Sequence, residues 1–311
     1  MASPQPPAPS PGTRSVSIWR AGAATDAGLV RDANEDRHWI DTENGIFLVV
    51  DGVGGHAAGE TAAETAAQTI RQDLLGEPQG TAEFRVRRAI TRANNRIYDM
   101  AGESGDLHGM ACVLTLAIIE DGEMVIGHVG DSRLYLIWNG GIRKLTSDHS
   151  PVGEGEDSGA LTEAQAMSHP RRNEVFRDVG TRPHEPGDEG FIEVRRCQFK
   201  PDAAFLLCSD GLSDLLPSAA IRRIVERYDG DPARVARELV EAANEAGGTD
   251  NITALLVAGS EFRGRLRHAT TRMLAVRPRS RAALLKGRIA FLLYGILLGF
   301  ALYAALHAIR G

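Results

Sequence analysis

Residues 111–145, ACVLTLAIIEDGEMVIGHVGDSRLYLIWNGGIRKL, decide the fold of this chain of 311 residues. Three apolar runs in this stretch, residues 111–120, 123–129 and 133–138, are each typical of a β-strand. The turn signal Asn139-Gly140-Gly141 then precedes a fourth short run at residues 142–145. The stretch therefore predicts four consecutive strands in the middle of the chain.

The sequence on either side of these strands predicts pairs of helices and further strands. The helical patterns lie at residues 56–75, 81–101, 217–228 and 232–246. The additional apolar runs lie at residues 45–50, 191–199, 204–208 and 252–257. Two helices, several adjacent strands and two more helices favour an α+β fold over a wound parallel sheet. We expect a four-layer α-β-β-α sandwich of two antiparallel sheets flanked by helices.

Four aspartates stand at the ends of predicted apolar strands. Asp51 follows the run ending at Val50, Asp131 and Asp210 come shortly after two later runs, and Asp250 precedes the last strand. A single aspartate in such a position is most often a turn former. Four of them gathered beside buried strands would be a costly cluster of like charge without cations. The pattern therefore predicts bound metal.

The types of ligand favour Mg²⁺ or Mn²⁺ over Zn²⁺, because carboxylates are hard oxygen donors and no His or Cys stands at ligand spacing. Carboxylates that bridge two such ions hold a water that becomes a nucleophile near neutral pH. The hexapeptide Arg31-Asp32-Ala33-Asn34-Glu35-Asp36 adds a guanidinium able to grip phosphate and two acids able to orient water. Together these features indicate an attack on phosphorus.

A competing interpretation concerns the turn after the strand at residues 45–50. The segment Gly52-Val53-Gly54-Gly55-His56-Ala57 matches the dinucleotide fingerprint G-x-G-x-x-A. The match is weak, because Asp51 would lie against the pyrophosphate. The acid about 20 residues further on, Asp73, also lies inside a helical pattern instead of at a strand end.

Seven motifs, in order along the chain, resemble those of the metal-dependent protein phosphatases of type 2C, the PPM family, in its compact bacterial form. They span about residues 16–258 and are RDANED (31–36), DGVGGHAAGE (51–60), VGDSR (129–133), LTSDHS (145–150), SHPRRN (168–173), CSDGL (208–212) and TDNIT (249–253). The resemblance implies a central β-sandwich flanked by helices, with metal ions at one end.

The resemblance also implies the ligands of two core Mn²⁺ or Mg²⁺ ions. Asp51 corresponds to the carboxylate that bridges both ions, and Gly52 to the residue that lends its backbone carbonyl. Asp210 and Asp250 correspond to the other core ligands. Asp131, together with Asp210, resembles the pair that holds a third, weaker ion in bacterial members.

Three further residues match the family's reaction machinery. Arg31 corresponds to the phosphate-binding arginine, and Glu35 and Asp36 correspond to residues that contact the metals largely through water. Some relatives carry a histidine directly after the first Asp-Gly, where this chain has Val53, so we expect slower cleavage of poor leaving groups. His56, close by, is interpreted as structural.

The segment at about residues 153–187 falls where the family has a mobile flap beside the site. An ordinary long loop is the alternative interpretation of this segment, although loops of this length are usually functional or disordered.

Charge is unevenly distributed along the chain. The net charge is −6, which disfavours nucleic acid as a partner. Residues 261–288 nevertheless hold nine Lys or Arg and one acid, and residues 289–309 form an apolar run. As a helix this run would be about 31 Å long, enough to cross a membrane core of ~30 Å. We therefore predict one C-terminal transmembrane helix.

The basic residues on the N-terminal flank of that helix predict a single-pass protein of the cell membrane with its catalytic domain in the cytoplasm. The spacing Gly295-x-x-x-Gly299 leaves dimerisation through the helix open. We divide the chain into a disordered Pro-rich lead-in (1–14), a phosphatase catalytic domain (15–260), a basic juxtamembrane linker (261–288) and the transmembrane helix (289–309).

The predicted function is hydrolysis of phosphoserine and phosphothreonine on proteins by a metal-bridging hydroxide. The preference for these residues comes from the family resemblance, which also implies that the substrates are targets of a serine/threonine kinase. The alternative is a catalytically weak or inactive pseudophosphatase that binds phosphoproteins as a scaffold. Retention of every core metal position argues against that alternative.

Overall fold

The computed structural model describes residues 19–54, 57–103 and 105–265. These residues form ten strands and seven α-helices. The strands are β1 Trp19–Asp26, β2 Arg37–Asp41, β3 Ile46–Val53, β4 Ala111–Glu120, β5 Glu123–Val129, β6 Arg133–Trp138, β7 Gly141–Lys144, β8 Glu193–Gln198, β9 Ala204–Cys208 and β10 Ile252–Gly259. The helices are α1 Ala57–Gly76, α2 Ala82–Glu103, α3 Pro151–Asp157, α4 Glu163–Met167, α5 Asp210–Ser213, α6 Ser218–Val225 and α7 Pro232–Glu245.

The strands build two five-stranded sheets in which every pair is antiparallel. One sheet has the order β1-β10-β9-β6-β7 and the other β2-β3-β4-β5-β8. Because successive side chains of a strand point to opposite faces, each central strand supplies two hydrophobic layers. In β3, Phe47 and Val49 pack between the sheets, whereas Leu48 and Val50 pack under α1 and α2. The predicted α+β arrangement of two sheets flanked by helices is confirmed.

The second pair of long helices covers the other sheet in the same way. Leu206 and Leu256, from β9 and β10, share a buried cluster with Ile221 of α6 and Leu239 of α7. Between the sheets, the rings of Phe47 and Phe205 meet edge to face with their centroids 5.5 Å apart. The sandwich therefore has one hydrophobic layer between the two sheets and another between each sheet and its helices.

The sequence pattern did not predict β1 and β2. Strand β1 reads WRAGAATD, in which only Trp19 is a large apolar residue, and α7 packs directly against its backbone. A Cβ atom on Gly22 would lie 2.4 Å from the backbone nitrogen of Ala233 in α7. Strand β2 is an edge strand of only five residues, too short to show a clear alternation.

The dinucleotide interpretation of residues 52–57 is wrong. That fingerprint joins a parallel strand to its crossover helix, whereas β3 pairs antiparallel with both β2 and β4. The segment at about residues 153–187 is not simply an ordinary loop, because it contains α4 and most of α3.

No helix in the three described ranges is long and apolar enough to cross a membrane. The predicted transmembrane helix at 289–309, the Pro-rich lead-in and His56 lie outside the described residues, as does residue 266 onward of the basic linker.

Candidate active site

Antiparallel pairing brings the four predicted aspartates to the same end of the sandwich. Asp51 lies near the end of β3, Asp131 in the turn between β5 and β6, Asp210 just after β9, and Asp250 just before β10. They border one cavity of about 180 Å³, which seven of the eight predicted site residues line: Arg31, Glu35, Asp51, Gly52, Asp131, Asp210 and Asp250. The eighth, Asp36, is buried and interacts electrostatically with Asp51.

Glycines allow the start of α1 to approach the Asp51–Gly52 segment closely. A Cβ atom on Gly52 would lie 2.4 Å from the carbonyl oxygen of Gly59 in the first turn of α1. A Cβ atom on Gly59 would in turn lie 1.9 Å from a carboxylate oxygen of Glu35. Any larger residue at either position would therefore displace the predicted metal-binding backbone or the Glu35 side chain.

Asp36 has one paired and one unpaired carboxylate oxygen. The Ser209 hydroxyl donates to its Oδ2 at 2.7 Å, and the backbone N–H of Thr253 donates to the Ser209 hydroxyl at 2.9 Å. The other oxygen, Oδ1, is buried and has no hydrogen-bond partner among the described residues. Burial raises the pKa of Asp36 to about 6. A buried carboxylate oxygen without a partner is what a cation or its water would satisfy.

The aspartates repel one another in the absence of a counterion. Burial, followed by the charges of Asp36 and Asp210, raises the pKa of Asp51 well above its usual value. Burial and the charge of Asp131 likewise raise the pKa of Asp210 well above its usual value. Burial, with Asp148 as the next cause, raises the pKa of Asp131 to about 7. A concentration of oxygen ligands and unbalanced negative charge fits divalent cations of the Mg²⁺ or Mn²⁺ type.

Arg31 borders the same cavity. Its Nη2 atom donates to Oδ2 of Asp250 at 2.7 Å, and its side chain is about half exposed. The guanidinium therefore lies against one of the predicted core ligands and can still be reached from solvent. A planar guanidinium in this position can form two hydrogen bonds to a phosphate group.

Asn251 organises the site and was not predicted from the sequence. Its Oδ1 atom accepts the backbone N–H of Glu35 at 2.8 Å, and its Nδ2 atom donates to the carbonyl oxygens of Ala27 and Ala33 at 3.0 and 2.8 Å. The side chain thus ties the loop that carries Arg31, Glu35 and Asp36 to the start of β10. The motif T-D-N-I-T places this asparagine next to Asp250, and that adjacency was the signal available in the sequence.

The flap segment contributes Asn173 and Val175 to the cavity lining. Several contacts hold it against the sandwich, two of them close to the cavity-lining residues. Nε of Arg172 donates to Oδ2 of Asp214 at 3.0 Å, and Val179 forms an antiparallel bridge with Cys112 of β4. Asp214, one turn after Asp210, was also not predicted.

A second group of possible metal ligands, His128, His149 and Glu193, lies beneath the flap, with ligand atoms within 4.8 Å of one another. The hydrogen bonds of this group occupy the atoms that a metal would need. Nδ1 of His149 accepts the N–H of Gly130 at 3.0 Å, His128 bonds to Thr115 and Ser147, and Oε2 of Glu193 accepts the N–H of Ser147. We interpret the group as an internal support for the turn that carries Asp131.

A two-sheet sandwich with an acidic cavity and one arginine at its end has the features of a metal-dependent phosphoester hydrolase. A family model described as protein phosphatase 2C matches residues 27–256. The chain belongs to the protein phosphatase 2C family.

Individual relatives agree with this family membership. The serine/threonine phosphatase stp of Listeria innocua is 37% identical over 245 residues, which are 75% of this chain and 93% of that protein. The crystal structure of the serine/threonine phosphatase Stp1 from Staphylococcus aureus gives a TM-score of 0.70 at 30% identity and covers 81% of this chain and 99% of that one. The catalytic domain of the serine/threonine protein phosphatase PstP, in complex with two manganese ions, gives a TM-score of 0.67 at 29% identity over 78% of this chain and 98% of that one.

Proposed function

We propose that this protein removes phosphate from phosphoserine and phosphothreonine in other proteins, in a reaction that depends on Mn²⁺ or Mg²⁺. The observation that carries the proposal is the cavity itself, where Arg31 and four aspartates from separate parts of the chain converge. Serine/threonine phosphatases with at least 30% identity over most of this chain support the substrate class.

Asp51, the Gly52 carbonyl, Asp210 and Asp250 would hold two core cations, and Asp131 with Asp210 would hold a third. Asp36, whose Oδ1 atom lacks a partner among the described residues, would face the core ions. When bound, the cations offset the negative charge of the aspartates and activate a water for attack on phosphorus. Asn251 and Ser209 keep the loop carrying Glu35 and Asp36 at the correct distance from the aspartates.

Arg31 is the group that we assign to the phosphate. Before substrate arrives, its guanidinium is paired with Asp250. When the phosphate enters, the guanidinium exchanges one anionic partner for another, so little desolvation is required. On hydrolysis, the ester oxygen of the substrate must gain a proton as it leaves. The residue that lines the cavity at position 53 is a valine, which cannot donate a proton to that oxygen.

We also propose that residues 289–309 anchor the protein in the cell membrane as a single-pass helix, with the catalytic domain in the cytoplasm. The support is the length of the apolar run and the basic residues that precede it. The substrates would then be kinase targets in the cytoplasm that reach the membrane surface. If the full-length protein is removed from membranes by a carbonate wash, this proposal is wrong.

The function is tested with the full-length protein and three phosphopeptides of identical sequence that differ only in carrying phosphoserine, phosphothreonine or phosphotyrosine. We expect phosphate release from the first two peptides with Mn²⁺ and its loss on adding EDTA. Failure to hydrolyse either peptide at any Mn²⁺ concentration would favour the scaffold alternative. Equal hydrolysis of the phosphotyrosine peptide would contradict the proposed substrate class.

A further inference from the structure

Large apolar side chains are exposed in the cavity lining and in the loop that carries Arg31. Leu29 and Val30, directly before Arg31, are 68% and 66% exposed, the highest values among the large apolar residues of the described ranges. Val53, in the cavity lining, is 40% exposed. Val175 of the flap also lines the cavity and is half-buried. We call Leu29, Val30, Val53 and Val175 the apolar rim.

The residues of the apolar rim belong to the ends of both sheets. Leu29 and Val30 lie in the loop after β1, and the backbone N–H of Leu29 donates to the carbonyl of Gly248, close before β10. Val53 ends β3 in the other sheet, and Val175 lies in the flap, which bridges to β4 through Val179 and Cys112. Val53 and Val175 therefore border the cavity directly, and Leu29 and Val30 directly precede Arg31, which also lines it.

Leu29 is held in its exposed position by the local backbone. Its N–H bond to Gly248 is 2.7 Å long, and a Cβ atom on Gly248 would lie 2.7 Å from Cγ of Leu29. Gly248 has a φ of +52°, so the loop places a glycine where a side chain would displace Leu29. Exposed apolar groups that are fixed beside a polar binding site are typical of recognition surfaces.

We propose that the apolar rim binds the residues next to the phosphorylated residue, and that the protein prefers segments with large apolar side chains at those positions. The occupant is an extended phosphoprotein segment, because Arg31 is placed to hold the phosphate in the cavity, Val53 and Val175 are part of the cavity lining, and Leu29 and Val30 are exposed directly before Arg31. Neighbouring residues of an extended chain lie about 3.3 Å apart and point to opposite faces. Residues one or two positions from the phosphorylated residue can therefore reach the apolar rim. This inference rests on the proposed phosphatase function.

The test compares three substrates with the full-length enzyme in Mn²⁺. They are p-nitrophenyl phosphate, a phosphothreonine peptide with leucine at the two positions on each side, and the same peptide with serine at those positions. We expect kcat/KM to be about tenfold or more higher for the leucine peptide, the discrimination that apolar contacts usually supply. p-Nitrophenyl phosphate is too small to extend across the rim, so it reports the chemistry alone.

The rim variants are Leu29→Ser and, separately, Val30→Ser, neither of which lines the cavity itself. Their matched control is Leu75→Ser, because Leu75 is 46% exposed at the far end of the 20-residue helix α1. We expect the rim variants to lose most of the preference for the leucine peptide and to keep wild-type rates on p-nitrophenyl phosphate. The Leu75→Ser control should keep both the preference for the leucine peptide and the wild-type rate on p-nitrophenyl phosphate.

Equal kcat/KM for the two peptides in the wild type would overturn the inference while leaving the phosphatase function intact. A preference that survives in both rim variants would also overturn it. If the wild type hydrolyses none of the three substrates, the proposed function itself fails.

Discussion

Arg31 and Asp250 form an ion pair, with 2.7 Å between Nη2 and Oδ2, at the edge of the acidic cavity. The two residues are more than 200 positions apart in sequence, and their contact joins the loop after β1 to the start of β10. Asp250 is a proposed core metal ligand and Arg31 the proposed phosphate ligand. One contact thus links the proposed metal-binding and substrate-binding parts of the site.

Replacing Arg31 separates these two roles. In Arg31→Gln we expect kcat/KM for p-nitrophenyl phosphate to fall about 10- to 100-fold, since a hydrogen bond to a charged group contributes about 1.5–3 kcal/mol. Mn²⁺ should still raise the melting temperature, because Asp51, Asp210 and Asp250 remain. Steady-state kinetics and thermal melts with and without Mn²⁺ measure the two effects. Loss of the Mn²⁺-dependent stabilisation in this variant would show that Arg31 acts on the metal site instead.

Removing one carboxylate should stabilise the metal-free protein. Burial and four neighbouring aspartates raise the pKa of Asp51, so its charge opposes folding when no cation is bound. We expect Asp51→Asn to increase the free energy of unfolding in EDTA by roughly 1 kcal/mol or more, since one pKa unit corresponds to about 1.4 kcal/mol. Added Mn²⁺ should stabilise the variant much less than the wild type. The prediction is wrong if urea unfolding shows the metal-free variant to be less stable than the wild type.

The metal-free protein should lose stability as pH rises from about 6.5 to 8. Burial raises the pKa of Asp131 to about 7, above its unfolded value, so the folded state holds protons that the unfolded state has already released. The stability that protonation of Asp131 contributes is therefore lost as pH rises through this range. Burial lowers the pKa values of His38, His128 and His149, so their effect has the opposite sign, but it levels off just above their unfolded pKa of about 6.5. Asp51 and Asp210, whose pKa values burial raises well above their usual value, add to the loss from Asp131 and outweigh the histidines.

Thermal melts in EDTA at several pH values measure this dependence, and melts with saturating Mn²⁺ provide the comparison. We expect the decrease to be much smaller with Mn²⁺, because the cations hold the carboxylates in their charged form. A metal-free melting temperature that stays constant or rises between these pH values would rule out the proposed charge cluster.

Introducing a proton donor at position 53 should change how kcat depends on the leaving group of the substrate. Val53 lies at the end of β3 in the cavity lining and is partly exposed, so a histidine there would border the cavity. We expect Val53→His to increase kcat for phenyl phosphate by about tenfold or more, with little change for p-nitrophenyl phosphate, whose leaving group needs no proton. Val53→Leu controls for size. Equal effects of the two substitutions on both substrates would contradict a proton-transfer role.

The accuracy of the sequence predictions follows the strength of the hydrophobic pattern. Strands β4, β5, β6 and β9 have the predicted bounds, because their apolar runs are buried on both faces and end at turn residues. Strand β1 was missed because, after Trp19, it consists of small and polar residues that pack under α7 and show no apolar alternation. Helix α4 was missed because it is only five residues long and starts at a capping box that depends on Thr162 and Gln165.

In the site too, the residues that could be predicted are those tied to the hydrophobic pattern of the strands. The aspartates at strand ends could be predicted to meet, because antiparallel strands deliver their ends to a shared edge of the sandwich. Asn251, Ser209 and Asp214 could not, since each acts through a contact with a residue distant in sequence, such as Ser209 with Asp36. Such contacts depend on the packing of the loops and leave no periodic pattern in the sequence.

The central claim, that this cavity is a metal-dependent phosphatase centre, is tested most directly by one comparison. The initial rate of phosphate release from a phosphothreonine peptide is measured against Mn²⁺ concentration for the wild type, Asp51→Asn and Asp99→Asn. Asp99 is exposed on α2, so its substitution makes the same chemical change away from the site. We predict that Asp51→Asn loses roughly 10³-fold in rate, about 4 kcal/mol of transition-state stabilisation, and that Asp99→Asn matches the wild type. Wild-type rates in Asp51→Asn, or rates independent of Mn²⁺ and unaffected by EDTA, would contradict the account.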